Sequence, residues 1–468
     1  MVTIHDTSLK EGIVSGIRKA QEMNQPVLVS EVQRIDRNDA FAFFHAGSQL
    51  FLGERFFWKD PESRNIFAGV GTTAVLQHFG NEDRFTSIEE AWKSLRERAI
   101  ILSDEEVAGT GPVLFGGFSF DPLKDKTGLW ARFADSQFQV PKYLLTVSEG
   151  QAYLTSNILC SWQDEAEKLY QQFLLEKAAL TLETTGTFPT VPSLEEIEEV
   201  RPEEWKNSIL ELVQELRGND LQKVVLAREL RLRYHEPIMA DSVLHNLLEE
   251  QEGSFIFALE AGDDCFIGAT PERLIKKEGN SLFSACLAGS IGRSDDPGED
   301  ERLGKSLLED QKNLIEHQYV VDMIRAAMEA TCEKVDIPES PQLMKMKYIQ
   351  HLYTPVIGTN KEGTSIFQII DRLHPTPALG GMPQRQAVEK IREVEILDRG
   401  YYAAPMGWLD HRGNGEFAVA IRSGLLRGKE ASLFAGCGIV SDSDADSEYR
   451  ETNIKFRPML HALGGGEK

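Results

Sequence analysis

The sequence predicts an α+β fold in which helices pack on layered sheets. Two observations predict it. Short apolar or alternating runs bounded by Gly, Pro and Asp recur along the chain, and stretches with helical apolar spacing stand between them in both halves. A third observation divides the chain: residues 181–204, TLETTGTFPTVPSLEEIEEVRPEE, are dominated by Thr, Pro and Glu, the composition of a connection rather than a core. The predicted organisation is an N-terminal α+β half over 1–190, a connecting segment over 191–204, and a second half over 205–468 that carries the candidate site.

In the first half, VLVSEV (27–32), QLFLGERFFW (49–58) and GPVLFGGFSF (111–120) read as strands, with glycines where backbones approach closely. SIEEAWKSLRERAIIL reads as a helix with Ser87 as N-cap and Glu90 three residues on. QDEAEKLYQQFLLEKAALTL is a second helix. In the second half, EEWKNSILELVQELRGN is helical and stops at Gly218, and QKVVLARELRLR follows as a strand. GSFIFALEAG and DCFIGATPE pair around a Gly-Asp turn. Residues 300–332 form one long amphipathic helix, FAVAIRSGLLRG and ASLFAGCGIV are strands, and a last helix runs from about Ala445 to Leu463.

With 468 residues, 41% of them hydrophobic, the chain can bury a large core and needs no staple to fold. It carries 74 Asp+Glu against 50 Lys+Arg, a formal charge of −24, with no basic cluster; nucleic acid is therefore not an expected partner. An anionic substrate would meet a repulsive global field, so its site needs a bound cation or a few well-placed Lys and Arg. The five cysteines, Cys160, Cys265, Cys286, Cys332 and Cys437, are odd in number and widely spaced, which suits a reducing compartment and gives no zinc site. No signal peptide is visible in MVTIHDTSLKEG, and no apolar stretch approaches the ~20 residues of a membrane span. The expected location is the cytoplasm, with no membrane contact.

Lys223 heads the apolar strand KVVLARE, where alternation puts it on one face with Val225 and Ala227. Either it reaches solvent from the strand start, or it is desolvated and fit to act as a base near neutral pH. Glu272 in GATPERL follows Pro271, so it sits at a strand end or bulge. Either it is aimed into a site or it pairs with Arg273 at the surface. Glu316 lies in KNLIEHQYVV near an apolar stripe, and Glu448, Glu451 and Lys455 share one helix face. The last three form a surface ladder, or else meet Glu316 across a cleft, a carboxylate set that suits magnesium. Gly436 and Gly438 bracket Cys437, in either a simple bulge or a close backbone approach to a ligand carboxylate. Arg422 is a cation inside an apolar strand, calling for a substrate carboxylate or a protein one. His374 precedes the proline-rich turn HPTPALGG.

In order, KVVLARE, GATPERL, CLAGSIGR, KNLIEHQYVVD, LHPTPALGG, DRGYYAAPMGW, FAVAIRSGLL, AGCGIVSDS and EYRETNIK resemble the chorismate-utilising enzymes almost continuously over residues 220–460. The first half resembles the family loosely and best suits the longer isochorismate synthases of menaquinone biosynthesis, as in FFWKDP. The resemblance implies a site in a cleft between sheets and magnesium held by Glu316 and Glu451, with Glu448 in support. It implies that Lys455, Gly436 and Gly438 hold the ring carboxylate of chorismate, and that Arg422, Tyr402 and His374 attend its enolpyruvyl arm. Lys223 stands where anthranilate synthases carry glutamine, implying water as nucleophile with Lys223 as base and Glu272 as acid. Ala288, in Ala288-Gly289-Ser290, stands where aminodeoxychorismate synthases often carry a nucleophilic lysine; Ser290 replaces the commoner threonine. The implied activity is isochorismate synthesis with no glutaminase partner. The alternatives are a salicylate synthase, which then eliminates pyruvate, and a siderophore-pathway isochorismate synthase. An amidotransferase-linked large subunit would require a different residue at 223, and a non-catalytic binding protein would leave Lys223 and Glu272 without a role.

Overall fold

The computed structural model describes residues 4–80, 82–181, 188–218, 220–346 and 349–465. Part of the Thr/Pro/Glu-rich stretch, 182–187, lies outside them. The architecture is α+β: a large, predominantly antiparallel sheet flanked by helices. The expected layers are parts of one continuous pairing network. Arg55–Lys59 pairs with both Asn65–His78 and Phe255–Ala261, and Val113–Phe118 pairs with Pro405–Asp410. Strands of the first 190 residues thus run directly into strands beyond 205. The sole parallel pairing among the described residues joins Val27–Ile35 to Ile100–Leu102.

Strand alternation sorts the apolar side chains into two cores. Phe56 and Trp58 enter one, together with Ile88, Trp92, Trp205 and Phe367 from helices. Phe57 enters the other, under Leu9, Ile13, Val243, Phe456 and Met459. A buried charge cluster ties the two parts of the chain: Arg55 donates to Asp241 at 2.9 Å and to Glu260 at 2.6 Å.

Several elements depart from the sequence reading. QLFLGERFFW begins as a short helix, Ser48–Phe51, and becomes the strand Arg55–Lys59 after a turn at Gly53 (φ +89°), where a Cβ would lie 2.5 Å from the Gly262 carbonyl oxygen. The helix expected from Ser87 starts at Arg84, because Phe85 joins Ile88, Trp92 and Leu95 on the buried face. The long helix is two, Pro297–Glu309 and Gln311–Thr331, interrupted at Asp310, whose side chain caps the second by accepting from Asn313 N at 2.8 Å. FAVAIRSGLLRG splits into Gly415–Val419 and Ser423–Arg427 around Arg422, which is left-handed (φ +51°). The connecting segment carries the strand Leu194–Glu199, paired with Lys223–Tyr234. The helices Ile4–Met23 and Ala240–Glu250 were not anticipated. All five cysteines are buried and unpaired. Among the described residues, no helix is long and apolar enough to cross a membrane.

Candidate functional site

Lys223 begins the strand Lys223–Tyr234 and is only 5% exposed, so it does not reach solvent. Its ammonium pairs with Glu316, carried by the helix Gln311–Thr331. Room for that pair depends on Gly438 in the adjacent strand: a Cβ there would lie 2.4 Å from Lys223 Cε and 3.6 Å from Glu316 Oε1.

Glu272 stands in the two-residue gap between the strands Asp264–Thr270 and Arg273–Glu278. Its backbone N donates to Thr270 Oγ1 and its carbonyl accepts from Val419 N, fixing the turn. Arg273 points elsewhere, to Glu416 at 2.6 Å and Glu62 at 3.2 Å. The buried Glu272 carboxyl has no ion-pair partner among the described residues. Burial raises its pKa to about 7, against the opposing pull of Arg422, Lys223 and Lys455. It is therefore a carboxylic acid poised near neutrality.

Arg422 occupies the break between two strands, and no described carboxylate lies within ion-pair distance of it. Burial lowers its pKa, while Tyr402, Glu272 and Glu451 act in the opposite sense. The neighbouring Tyr402 is buried, its pKa pushed up to about 12 by burial, and its ring packs 5.4 Å from Phe434. Ala403 next to it is also left-handed (φ +61°) and is held by its N–H to Ala420 O. Such strained non-glycine residues often mark sites.

On the helix Ala445–Ala462, Lys455 Nζ reaches Glu451 Oε1 at 2.6 Å and Gly436 O at 2.8 Å. Glu448 accepts from Ser443 Oγ at 2.8 Å. Burial raises the Glu448 pKa, and the like charge of Glu451 adds to it. Burial also opposes ionisation of Glu316, but Lys223 and then Lys455 outweigh it and hold its pKa below the usual value. Gly436 and Gly438 pair with Ala227 and Val225 on one side, whereas pairing on the other side ends at Phe434. One backbone edge of this glycine segment is thus left without a strand partner.

The segment Ala288-Gly289-Ser290 is a bulge in the pairing of Ser281–Gly292 with Ile349–Asn360, and Gly289 is left-handed (φ +80°). Ala288 O lies 2.9 Å from His317 Nδ1, and Ser290 Oγ lies 2.6 Å from His351 Nδ1. His351 escaped the sequence reading. Its Nε2 is buried without a hydrogen-bond partner, and burial, reinforced by Arg422 and Lys455, lowers its pKa to about 3. Its position in the alternating run IQHLYT was the available signal.

His374 is not brought to this group. Its Nε2 lies 3.0 Å from Phe120 O, and burial together with Arg84 and Arg399 keeps it neutral.

No three His, Cys, Asp or Glu side chains converge as a ready metal cage among the described residues. The carboxylates nonetheless fit magnesium by donor chemistry. Glu448 and Glu451 repel one another, an arrangement a cation relieves. Magnesium also takes only one or two carboxylates, completing its shell with water and substrate oxygens. Chemically, the arrangement offers a buried acid, a buried lysine and cations suited to a substrate with two carboxylates.

The chain is 43% identical to isochorismate synthase MenF of Bacillus subtilis over 99% of both chains. It is 36% identical to the salicylate biosynthesis isochorismate synthase of Pseudomonas aeruginosa, over 96% of this chain and 93% of that one. Its fold matches MenF, the menaquinone-specific isochorismate synthase from Escherichia coli, with a TM-score of 0.79 at 22% identity, covering 97% of this chain and 100% of that one. The chorismate binding enzyme model matches residues 15–464, and the chain belongs to that family.

Proposed function

We propose that this protein is an isochorismate synthase, converting chorismate to isochorismate, and that its product feeds menaquinone biosynthesis. The carrying observation is the pairing of two buried groups: Lys223 at the head of its strand and Glu272, an acid with a pKa of about 7 on which Lys223 itself acts together with Arg422 and Lys455. The full-length similarity to an isochorismate synthase supports the activity.

The reaction is an isomerisation, so atoms balance without a co-reactant beyond water. Lys223 removes a proton from water, and the resulting oxygen bonds to ring C2. The ring double bond shifts, and the C4–oxygen bond breaks as Glu272 delivers its proton to the departing hydroxyl, releasing water. Each proton transfer is worth about 10²–10⁴-fold in rate. Lys223 forms an ion pair with Glu316, and the pair must part before the lysine serves as base. Glu316 and Glu451 would hold magnesium, with Glu448 in support, and the ion when bound supplies positive charge against the substrate's carboxylates. Lys455 and the Gly436–Gly438 edge hold the ring carboxylate, and Arg422 with Tyr402 holds the carboxylate of the enolpyruvyl arm. Ala288 leaves space for water, and no glutaminase partner is required. The reading places the enzyme in the cytoplasm.

The test is product analysis with chorismate and magnesium, with and without ammonia. Isochorismate alone, lost on chelation, is the expected result. Salicylate with pyruvate would make the protein a salicylate synthase, and an ammonia-dependent amino product would remove Lys223 from its role.

A further inference from the structure

The strand that begins at Lys223 is only partly covered along one edge. On one side it pairs with Glu430–Ile439 from Val224 to Arg233. On the other, Leu194–Glu199 covers Leu230 to Tyr234, and Gly381 and Met382 cover only Val224 and Lys223. No described strand pairs with Val225 or Ala227 on that side. Buried backbone groups need partners, and here a turn and two buried side chains supply them. Val225 N donates to Gly380 O at 2.9 Å. Arg399 Nη2 donates to Val225 O at 2.8 Å, and Glu395 Oε2 accepts from Ala227 N at 2.7 Å.

Glu395 and Arg399 act as one unit. Arg399 Nε donates to Glu395 Oε1 at 2.6 Å and Nη2 to Oε2 at 2.7 Å, a bidentate pair. Arg399 Nη1 donates to Leu379 O at 3.0 Å, and the guanidinium lies 4.2 Å over the Phe120 ring. Arg399 is 3% exposed and Glu395 5%. The backbone of Arg399 extends the network, because its carbonyl accepts from Tyr402 N at 2.8 Å. The pair thus joins three segments: the start of the Lys223 strand, the turn around Leu379–Met382, and the run leading to Tyr402. Their packing leaves little slack. At Gly381 (φ +136°) a Cβ would lie 2.1 Å from Lys223 O. A buried ion pair that serves stability alone is replaceable by apolar side chains. This pair satisfies backbone groups that an apolar side chain would leave unpaired.

We propose that Glu395 and Arg399 are positioning residues for the reaction, holding the Lys223 strand and the Tyr402 segment together so that both face the same substrate. The inference rests on the reading of Lys223 as base and of Tyr402 as a group at the enolpyruvyl arm. Neither Glu395 nor Arg399 moves a proton or touches the substrate; they act through Val225, Ala227 and Tyr402. Misplacing a reacting group by about 1 Å costs about 10²-fold in rate, so a small slip of this strand end has a large kinetic effect.

Arg399→Lys and Glu395→Gln test this in the whole protein. The lysine keeps the charge but loses the planar fork, so it cannot serve Glu395, Leu379 and Val225 together. The glutamine is near-isosteric and keeps an acceptor for Ala227 N, which preserves the fold should the lysine variant lose it. The measurements are circular dichroism, steady-state kinetics with chorismate and magnesium, and hydrogen exchange of peptides spanning residues 223–227. Each variant should lose about 10–10²-fold in kcat per folded molecule, with a raised KM for chorismate and faster exchange in those peptides. In Arg399→Ala, millimolar guanidinium should restore part of kcat and urea, its uncharged analogue, should not. Wild-type kcat and KM in both Arg399→Lys and Glu395→Gln, or activity lost only in proportion to unfolded protein, would overturn the proposal. So would unchanged exchange at residues 223–227 in both variants, a readout independent of turnover. A wild type that does not convert chorismate would overturn the activity reading instead, and the exchange result would still decide whether the pair holds the strand.

Discussion

At the scale of single residues, Glu272 is the buried acid on which the proposed chemistry turns. Its carboxyl is buried, carries no partner of its own and has its pKa raised to about 7. As the proposed general acid it must be protonated, so kcat/KM should fall as pH rises through about 7, and a pH–rate profile of the free enzyme measures it. The same group affects stability with a definite sign. Its folded pKa is raised above the ordinary 4.5, so the stability present below that value is lost as pH rises towards about 7. Glu272→Gln should therefore lose about 10²–10⁴-fold in turnover while retaining substrate binding, yet melt higher than the wild type above pH about 7 and equally near pH about 4. Gly438→Ala tests the space around Lys223. The new methyl would displace the lysine from Glu316, so activity should be lost with the fold kept, as read by kinetics beside circular dichroism. Lys223 and Glu272 were legible because a charged residue in an apolar strand and a carboxylate after proline are both anomalies. His351 was not, since a histidine in an alternating strand looks like ordinary core until the fold sets Ser290 against it and brings the charge of Arg422 to bear on it.

At the scale of elements, two interruptions position the site. Asp310 breaks what reads as one helix and caps the piece that carries Glu316. Asp310→Ala should cost about 0.5–2 kcal/mol, measured by denaturant unfolding. Arg422 breaks what reads as one strand and is thereby held in the left-handed region between two ladders. Neither break was visible beforehand: each depends on one residue that is neither glycine nor proline, and apolar periodicity continues across it. The stronger elements, such as Lys223–Tyr234 and Ala445–Ala462, matched closely because apolar alternation or a capped helical face marked their whole length.

At the scale of the molecule, pairings between distant strands carry the site, and their register is set by contacts that a linear reading does not contain. The Arg55–Asp241–Glu260 cluster joins a strand of the first 190 residues to elements beyond 205. Removing one member leaves buried charge uncompensated, so Arg55→Ala should destabilise by about 3–5 kcal/mol in denaturant unfolding. The loss should reach the catalytic cluster, because Phe255–Ala261, which holds Glu260, also pairs with the strand leading into Glu272. The fold class was legible because strand and helix signals alternate throughout. The continuous sheet was not, because the Thr/Pro/Glu-rich stretch conceals the strand Leu194–Glu199. The net charge of −24 sets the overall form of the problem: an anionic substrate meets a repelling field, which the buried Arg422 and the Lys455 ammonium locally oppose.

The most direct test of the central claim is the fate of isotope when chorismate and magnesium are incubated with the protein in oxygen-18 water. Isochorismate bearing one heavy oxygen on C2, formed by the wild type and not by Lys223→Ala, is the predicted result. Isochorismate that retains only the original light hydroxyl, or wild-type turnover in Lys223→Ala, would contradict water activation by Lys223.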